Sequence, residues 1–226
     1  MCFIAFYLII WNCYQDKRSA GWTFYAFCCI GLASMVFVQI GYFLPFLWIM
    51  MMVFTLSLSM RTFFASLLGV IAPYWFGAGY YAYTDNFPGL IQHFSEFVNY
   101  SEMFDYSQVT DHQLINLGFI ILLTVTGAIQ FIQSSYADKI RTRMIYESLI
   151  MMSAVCIVFI ILQPQHIHEL GGILLVNTSP LIAHFITFTK GKLTNTMFIS
   201  MLMLIVLILL YNIFVPETIL YEAIMK

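Results

Sequence analysis

Long apolar runs, interrupted by few charges, constrain this chain more than any other feature. A helix that crosses a bilayer needs about 20 mainly apolar residues, and runs approaching that length recur along the whole chain. They lack the alternation of barrel strands, and in lipid only helices and closed barrels can satisfy their own backbone hydrogen bonds. The sequence therefore predicts an all-α fold, a polytopic transmembrane helix bundle.

Reading the runs in order predicts about eight membrane segments, the first of them short. They cover residues 1–14, 22–42, 44–60, 62–83, 113–133, 148–163, 172–189 and 196–215. A helix over 1–14 would rise only about 21 Å, whereas the hydrocarbon layer is about 30 Å thick. We therefore expect the natural chain to begin upstream of Met1.

The composition agrees with lipid as the main solvent of this chain. Hydrophobic residues make up 62% of the sequence and charged residues 9%, whereas soluble domains carry about 25% charged residues. The formal net charge of −2 argues against nucleic acid as a partner, because phosphate binding needs a basic surface. The expected partners are the lipid bilayer and other membrane proteins.

The basic residues give these segments an orientation. Eight of the nine Lys and Arg residues fall in alternate connections, and only Lys226 falls on the opposite side. By the positive-inside rule, the basic connections lie in the cytoplasm. The eight residues are Lys17, Arg18, Arg61, Lys139, Arg141, Arg143, Lys190 and Lys192.

Both long connections have a pattern that is typical of interfacial helices. The acidic outer connection 84–112 spaces its apolar residues at three and four positions, which predicts an amphipathic helix on the membrane surface; a partner-docking surface is the alternative. The inner connection 134–147 also looks helical, with basic residues placed to meet anionic headgroups. The outer apolar residues are Phe87, Leu90, Ile91, Phe94, Phe97 and Val98.

We treat residues 1–226 as a single transmembrane domain, with a hypothesis of internal repetition. Tyr14-Gln-Asp16-Lys17 and Tyr136-Ala-Asp138-Lys139 precede similar arrangements of segments. This similarity suggests two parallel four-helix repeats, 1–83 and 113–215, joined by the outer amphipathic connection 84–112 and related by an axis along the membrane normal.

Candidate functional residues concentrate in the seventh segment, since no Asp, Glu, Lys or Arg lies in the middle of any segment. Asn177, Ser179 and His184 surround Pro180, which can kink a helix and free carbonyl groups. One interpretation is a substrate or ion site. The other, which we favour, is hydrogen bonding between helices. The sequence predicts no catalytic residue and no cofactor.

A histidine-rich outer turn raises the question of a metal. His166, His168 and Glu169 are zinc-ligand types, and His93 or His112 could complete a set. A solvated polar turn is the simpler interpretation, and we predict no metal site.

Two stretches resemble an uncharacterised family of multi-pass inner-membrane proteins from Gram-negative bacteria. One contains Arg61-Thr-Phe63, Leu67-Leu68-Gly69, Pro73-Tyr74 and Tyr80-Tyr81; the other runs from Ser179-Pro180-Leu181 through His184-Phe185 to Lys190. The resemblance implies a helical membrane fold in the bacterial inner membrane. It implies no activity and no functional residues.

Three classes of function remain open. We favour a non-catalytic component of a membrane assembly, because charges are absent from the middle of the segments. The alternative is a transporter or flippase for an apolar or lipid-linked substrate. A membrane enzyme that acts on lipid or glycan at the outer face is the second alternative.

Overall fold

The computed structural model describes residues 1–84, 88, 94–95, 104–106, 109–188 and 191–216. Over these residues the chain is helical and forms no strand, which confirms the all-α prediction. The described part contains eight α-helices, joined in places by 3-10 turns. They are α1 (Cys2–Ile10), α2 (Ala20–Val36), α3 (Leu44–Val53), α4 (Met60–Tyr83), α5 (Asp111–Ser134), α6 (Ile140–Leu162), α7 (Ile167–Phe188) and α8 (Lys192–Phe214).

Five of these helices, α4 to α8, are long and apolar enough to cross a membrane by length and composition. The first three apolar stretches are shorter: Cys2–Cys13, Ala20–Val36 and Val38–Val53. The chain is thus built as a membrane protein of several helices.

The predicted third segment, 44–60, is helical only as far as Val53. Residues 54–59 leave the helix, and Leu56 adopts a φ of 51°. The reason lies in short polar side chains, which compete with helical hydrogen bonding. The Thr55 and Ser57 hydroxyls bond to each other at 2.8 Å. Ser59 then caps α4 by accepting from the Thr62 amide at 3.3 Å.

The connection 134–147 is largely helical, as predicted, but it does not form a separate interfacial helix. A short 3-10 turn, Ser135–Ala137, follows α5, and α6 then begins at Ile140. Arg141 and Arg143 therefore lie in the first turns of a long helix and do not form a separate interfacial one. No Gly or Pro interrupts Ile140–Leu162, so nothing stops the helix between its basic start and its apolar remainder.

By internal contacts the chain divides into two compact units. Unit 1 comprises Met1–Tyr100 and Ile140–Ser148, and unit 2 comprises Ser101–Lys139 and Leu149–Lys226. The hypothesis of two parallel repeats stays a prediction. The predicted outer amphipathic helix lies outside the described residues, except for Pro88, Phe94 and Ser95.

Close approach of α2 and α4 forms the centre of unit 1. A Cβ atom added at Gly69 would lie 2.5 Å from the Phe24 carbonyl oxygen, and one added at Gly31 would lie 2.6 Å from that of Val70. Small residues let helix backbones approach in this way, as in other membrane helix pairs. The Tyr74 hydroxyl adds a hydrogen bond to Ser34 Oγ at 2.9 Å.

Basic connections lie together at one end of unit 1. The Gln15 amide donates to the Thr55 carbonyl at 2.8 Å, and the Ser59 hydroxyl donates to the Lys17 carbonyl at 2.9 Å. At the start of α6, the Arg141 guanidinium donates to the Trp11 carbonyl at 3.0 Å. The connections that carry Lys17, Arg61 and Arg141 thus share this end.

Candidate functional site

The polar cluster of α7 divides between the two sides of that helix. Asn177, Thr178 and His184 are at most 3% exposed, whereas Ser179 is exposed. Positions 177 and 184 lie on one face because seven residues make almost two helical turns. Of the residues predicted as a site, Asn177 and His184 therefore point into unit 2, and Ser179 points away from it.

Ser179 bonds within its own helix. α7 continues through Pro180 from Ile167 to Phe188, although a proline cannot donate to the carbonyl four residues earlier. That carbonyl belongs to Val176, and it accepts from the Ser179 hydroxyl at 3.2 Å. The serine thus replaces the missing amide donor, a repair known from membrane helices.

Asn177 is completely buried and faces α6. Its Nδ2 lies 3.9 Å from the Cys156 sulfur, a contact at the long limit for an N–H···S hydrogen bond. Among the described residues, its Oδ1 has no hydrogen-bond partner. Buried amide oxygens are usually satisfied, so the hydrogen bonding of Asn177 is incomplete within the described part of the chain.

Thr178 joins α7 to α5. Its hydroxyl donates to the Leu174 carbonyl of its own helix at 2.7 Å and bonds to the Thr124 hydroxyl at 2.6 Å. Nearby, a Cβ atom added at Gly127 would lie 3.0 Å from the Leu181 Cβ. The helices meet closely here, and this contact buries both hydroxyls.

His184 pairs with an acidic residue that the sequence analysis did not place in a site. His184 Nε2 lies 3.0 Å from Asp138 Oδ2, and the two side chains are 2% and 12% exposed. The Phe131 ring meets the imidazole edge to face at a centroid distance of 5.2 Å. Asp138 follows α5 in the connection to α6, so the pair ties that connection to the end of α7.

Asp138 could not be found from hydropathy, because it lies 46 positions from its partner. One signal was available. The predicted topology puts the connection after the fifth segment and the end of the seventh on the same side of the membrane. An acid just beyond one segment and a histidine near the end of the other are therefore candidates for a pair.

The described histidines of the predicted outer connections do not converge on one point. His168 is exposed and accepts from Gln113 Nε2 at 2.8 Å, whereas buried His112 packs on the Tyr211 ring at 5.1 Å. Within the described ranges, no group of three His, Cys, Asp or Glu side chains is placed to hold a metal ion. His93 lies outside the described residues.

A cleft of about 220 Å³ opens between the first halves of α5 and α7. Both polar and aliphatic side chains line it. A Cβ atom added at Gly171 or Gly172 would meet nothing within 4 Å, so the glycines leave this space open. The other lining residues are Gln113, Asn116, Leu117, Ile120, Ile167, His168 and Leu175.

α8 is apolar on nearly every side. Its Asn212 donates to Asn116 Oδ1 of α5 at 3.1 Å, and Met201 is buried. Most of its remaining side chains are exposed, with Met203 at 68% and Leu207 at 62%. Such a helix is suited to lipid or to another membrane helix.

Comparison with protein-family models, with curated proteins and with solved structures finds no significant match to this chain. The resemblance to a family of bacterial inner-membrane proteins therefore stays a prediction, and the site has to be interpreted from its own geometry.

Proposed function

We propose that this chain is a non-catalytic component of a membrane assembly. It crosses the bacterial inner membrane eight times, with its basic connections in the cytoplasm, and it has the membrane character of the family that it resembles. The three shorter apolar stretches complete the five long helices in this topology. Val38–Val53 can approach the necessary length because its first part is 3-10 helix, which rises about 2.0 Å per residue.

The observation that carries the proposal is the use of polar side chains in α7. Thr178 bonds to α5, His184 bonds to the connection after α5, and Ser179 repairs its own helix. A catalytic site needs such groups to converge on a space that a substrate can enter. Here Thr178 and His184 join parts of the protein and Ser179 acts within its own helix, which are ordinary structural uses of polar residues in membranes.

α8 is the surface that we assign to the assembly. Its outer stripe presents Ile199, Met203, Val206, Leu210 and Ile213, all of them exposed. Lipid alone could cover this stripe, so the test must distinguish protein from lipid neighbours.

A photo-crosslinking residue at Met203 provides this test. In native membranes we expect it to produce a larger protein adduct. The matched control is a crosslinker at Leu68 of α4, which is 61% exposed and should react with lipid alone. Lipid adducts at both positions, with no protein adduct, would contradict assembly through α8.

The outer cleft of unit 2 favours a second candidate, a transporter or flippase for a lipid-linked substrate. A lining that combines polar and aliphatic side chains suits a headgroup joined to an acyl chain. Gly172→Leu would fill this space, because nothing lies within 4 Å of an added Cβ. If this candidate function is right, the variant folds but no longer moves a fluorescent phospholipid across the membrane of proteoliposomes. The candidate function would be excluded if the variant moved the lipid as fast as the wild type, or if neither protein moved it.

A further inference from the structure

We propose that the basic end of unit 1 contains a binding site for one anionic phospholipid. The site is a recess of about 510 Å³ lined by Gln15, Lys17, Met52, Leu56 and Leu58. This volume lies in the range of about 300–1,000 Å³ that is typical of small-molecule sites. The proposal of a lipid site rests on the proposed membrane topology, which places this recess at the cytoplasmic interface. Lipid binding itself can be measured without that orientation.

Lys17 supplies an uncompensated positive charge. Among the described residues, its ammonium group has no ion-pair partner, and the side chain is exposed. In the described part of the chain no ion pair joins Lys17 to the neighbouring Asp16, whose Oδ1 accepts from the Arg18 amide at 2.8 Å. A phosphate group is the ligand chemistry that such a lysine attracts at a membrane surface.

Aliphatic side chains provide the other half of the site. Met52 is 55% exposed and Leu56 is 41% exposed, and Leu58 lines the recess beside them. Exposed aliphatic side chains next to a cation match a lipid, whose phosphate is joined to acyl chains. Free phosphate would use Lys17 but gain nothing from these walls.

The backbone holds this recess in an uncommon conformation. Gln15 has a φ of 60° and Leu56 a φ of 51°, which is the left-handed region that disfavours residues with a Cβ. The adjacent hydrogen bond from the Gln15 amide to the Thr55 carbonyl, 2.8 Å long, holds the two connections together. In this conformation Leu56 lines the recess.

Native mass spectrometry of the full chain in mild detergent tests the site. After delipidation the protein is titrated with phosphatidylglycerol, with phosphatidylcholine or with inorganic phosphate. We expect phosphatidylglycerol to bind at least fivefold more tightly than phosphatidylcholine, and inorganic phosphate not to displace it. Equal binding of the two lipids, or displacement by phosphate at matching concentration, would overturn the proposal.

Two variants separate a defined site from general attraction to basic residues. Lys17→Ala should weaken phosphatidylglycerol binding about fivefold and leave phosphatidylcholine binding unchanged. The control is Arg61→Ala, which removes an exposed cation at the same end that does not line the recess. Equal losses in both variants would overturn the proposal.

Leu56→Gly separates lost binding from lost folding. Glycine accepts a positive φ without strain, so the variant should unfold at a higher temperature than wild type. It should nevertheless bind phosphatidylglycerol more weakly, because it loses an apolar wall. Unchanged binding in the stabilised variant would show that the wall does not contact lipid and would overturn the site.

Discussion

The central helix pairs of the two units combine close backbone approach and interhelical hydrogen bonds in different proportions. In unit 1, α2 and α4 approach until the glycines at 31 and 69 meet backbone carbonyls of the other helix, and one hydrogen bond, Tyr74–Ser34, is added. In unit 2, α5 and α7 also meet at a glycine, but buried polar groups add the hydrogen bond Thr124–Thr178 and the pair Asp138–His184. Lipid offers helices no hydrophobic drive to associate, so close packing and hydrogen bonds must supply the specificity. The units show these two solutions in different proportions.

The largest expected effect comes from Gly69→Leu in unit 1. Phe24 backbone atoms block the added side chain, and backbone cannot move aside as a flexible side chain can. We expect a loss of about 3 kcal/mol in the free energy of unfolding in detergent, the upper range for overpacking. Hydrogen exchange should lose protection in α2 and α4 while α5 and α7 keep theirs.

Gly79→Leu is the matched control, because nothing lies within 4 Å of a Cβ atom added there. It should change the free energy of unfolding by at most about 0.5 kcal/mol. If both leucine variants lost the same stability, close approach would not be what holds α2 to α4.

His184→Ala should have the next largest effect, in unit 2. It leaves the largely buried Asp138 carboxylate without the imidazole partner 3.0 Å away. A lost hydrogen bond to a charged group costs about 2 kcal/mol. Chemical unfolding in detergent measures this loss, and His168→Ala, which removes an exposed histidine, should cost far less. Equal costs would refute a special role for the buried pair.

Thr178→Val tests the bond between α5 and α7 at nearly constant volume. The expected loss is about 1 kcal/mol, in the range for hydrogen bonds between membrane helices. Thr187→Val is the control, since the exposed Thr187 hydroxyl bonds only to Ala183 in its own helix among the contacts of the described residues. A double-mutant cycle with Thr124→Val should show positive coupling, and additive losses would contradict a direct bond.

Ser179→Ala should have the smallest effect, about 0.5 kcal/mol. The role of the Ser179 hydroxyl at the Val176 carbonyl can be tested separately, because Pro180→Ala restores the amide donor that the serine replaces. In the Pro180→Ala background, Ser179→Ala should therefore cost nothing measurable in unfolding experiments. The same cost in both backgrounds would disprove the repair at Val176.

The long helices could be predicted from the sequence because hydropathy reports directly on transfer into lipid. α4, α5 and α8 begin and end within a few residues of the predicted bounds. The end of α3 could not be predicted in this way. Residues 54–60 remain mainly apolar, and their hydropathy does not reveal that Ser57 and Ser59 redirect the backbone toward a new helix cap.

At the start of α6 the difference is reversed, because the helix begins before the predicted segment 148–163. Arg141 and Arg143 lie outside the apolar run, although they belong to the same helix as that run. For the candidate site, helical spacing predicts that Asn177 and His184 share one face of α7. The pairing of His184 with Asp138 does not follow from this spacing, because only the tertiary structure brings those elements together. The exposure of Ser179 depends on the rotation of α7, which hydropathy leaves open.

The topology can be measured most directly by thiol labelling in intact cells. Single cysteines are placed at Arg18, Val36, Tyr136 and Thr84, in a chain whose five native cysteines are replaced by alanine. We predict that a membrane-impermeant maleimide labels positions 36 and 84 from outside, and positions 18 and 136 only after permeabilisation. Labelling of positions 18 and 36 from the same side would contradict a membrane-spanning α2, and with it the eight crossings and the cytoplasmic basic end.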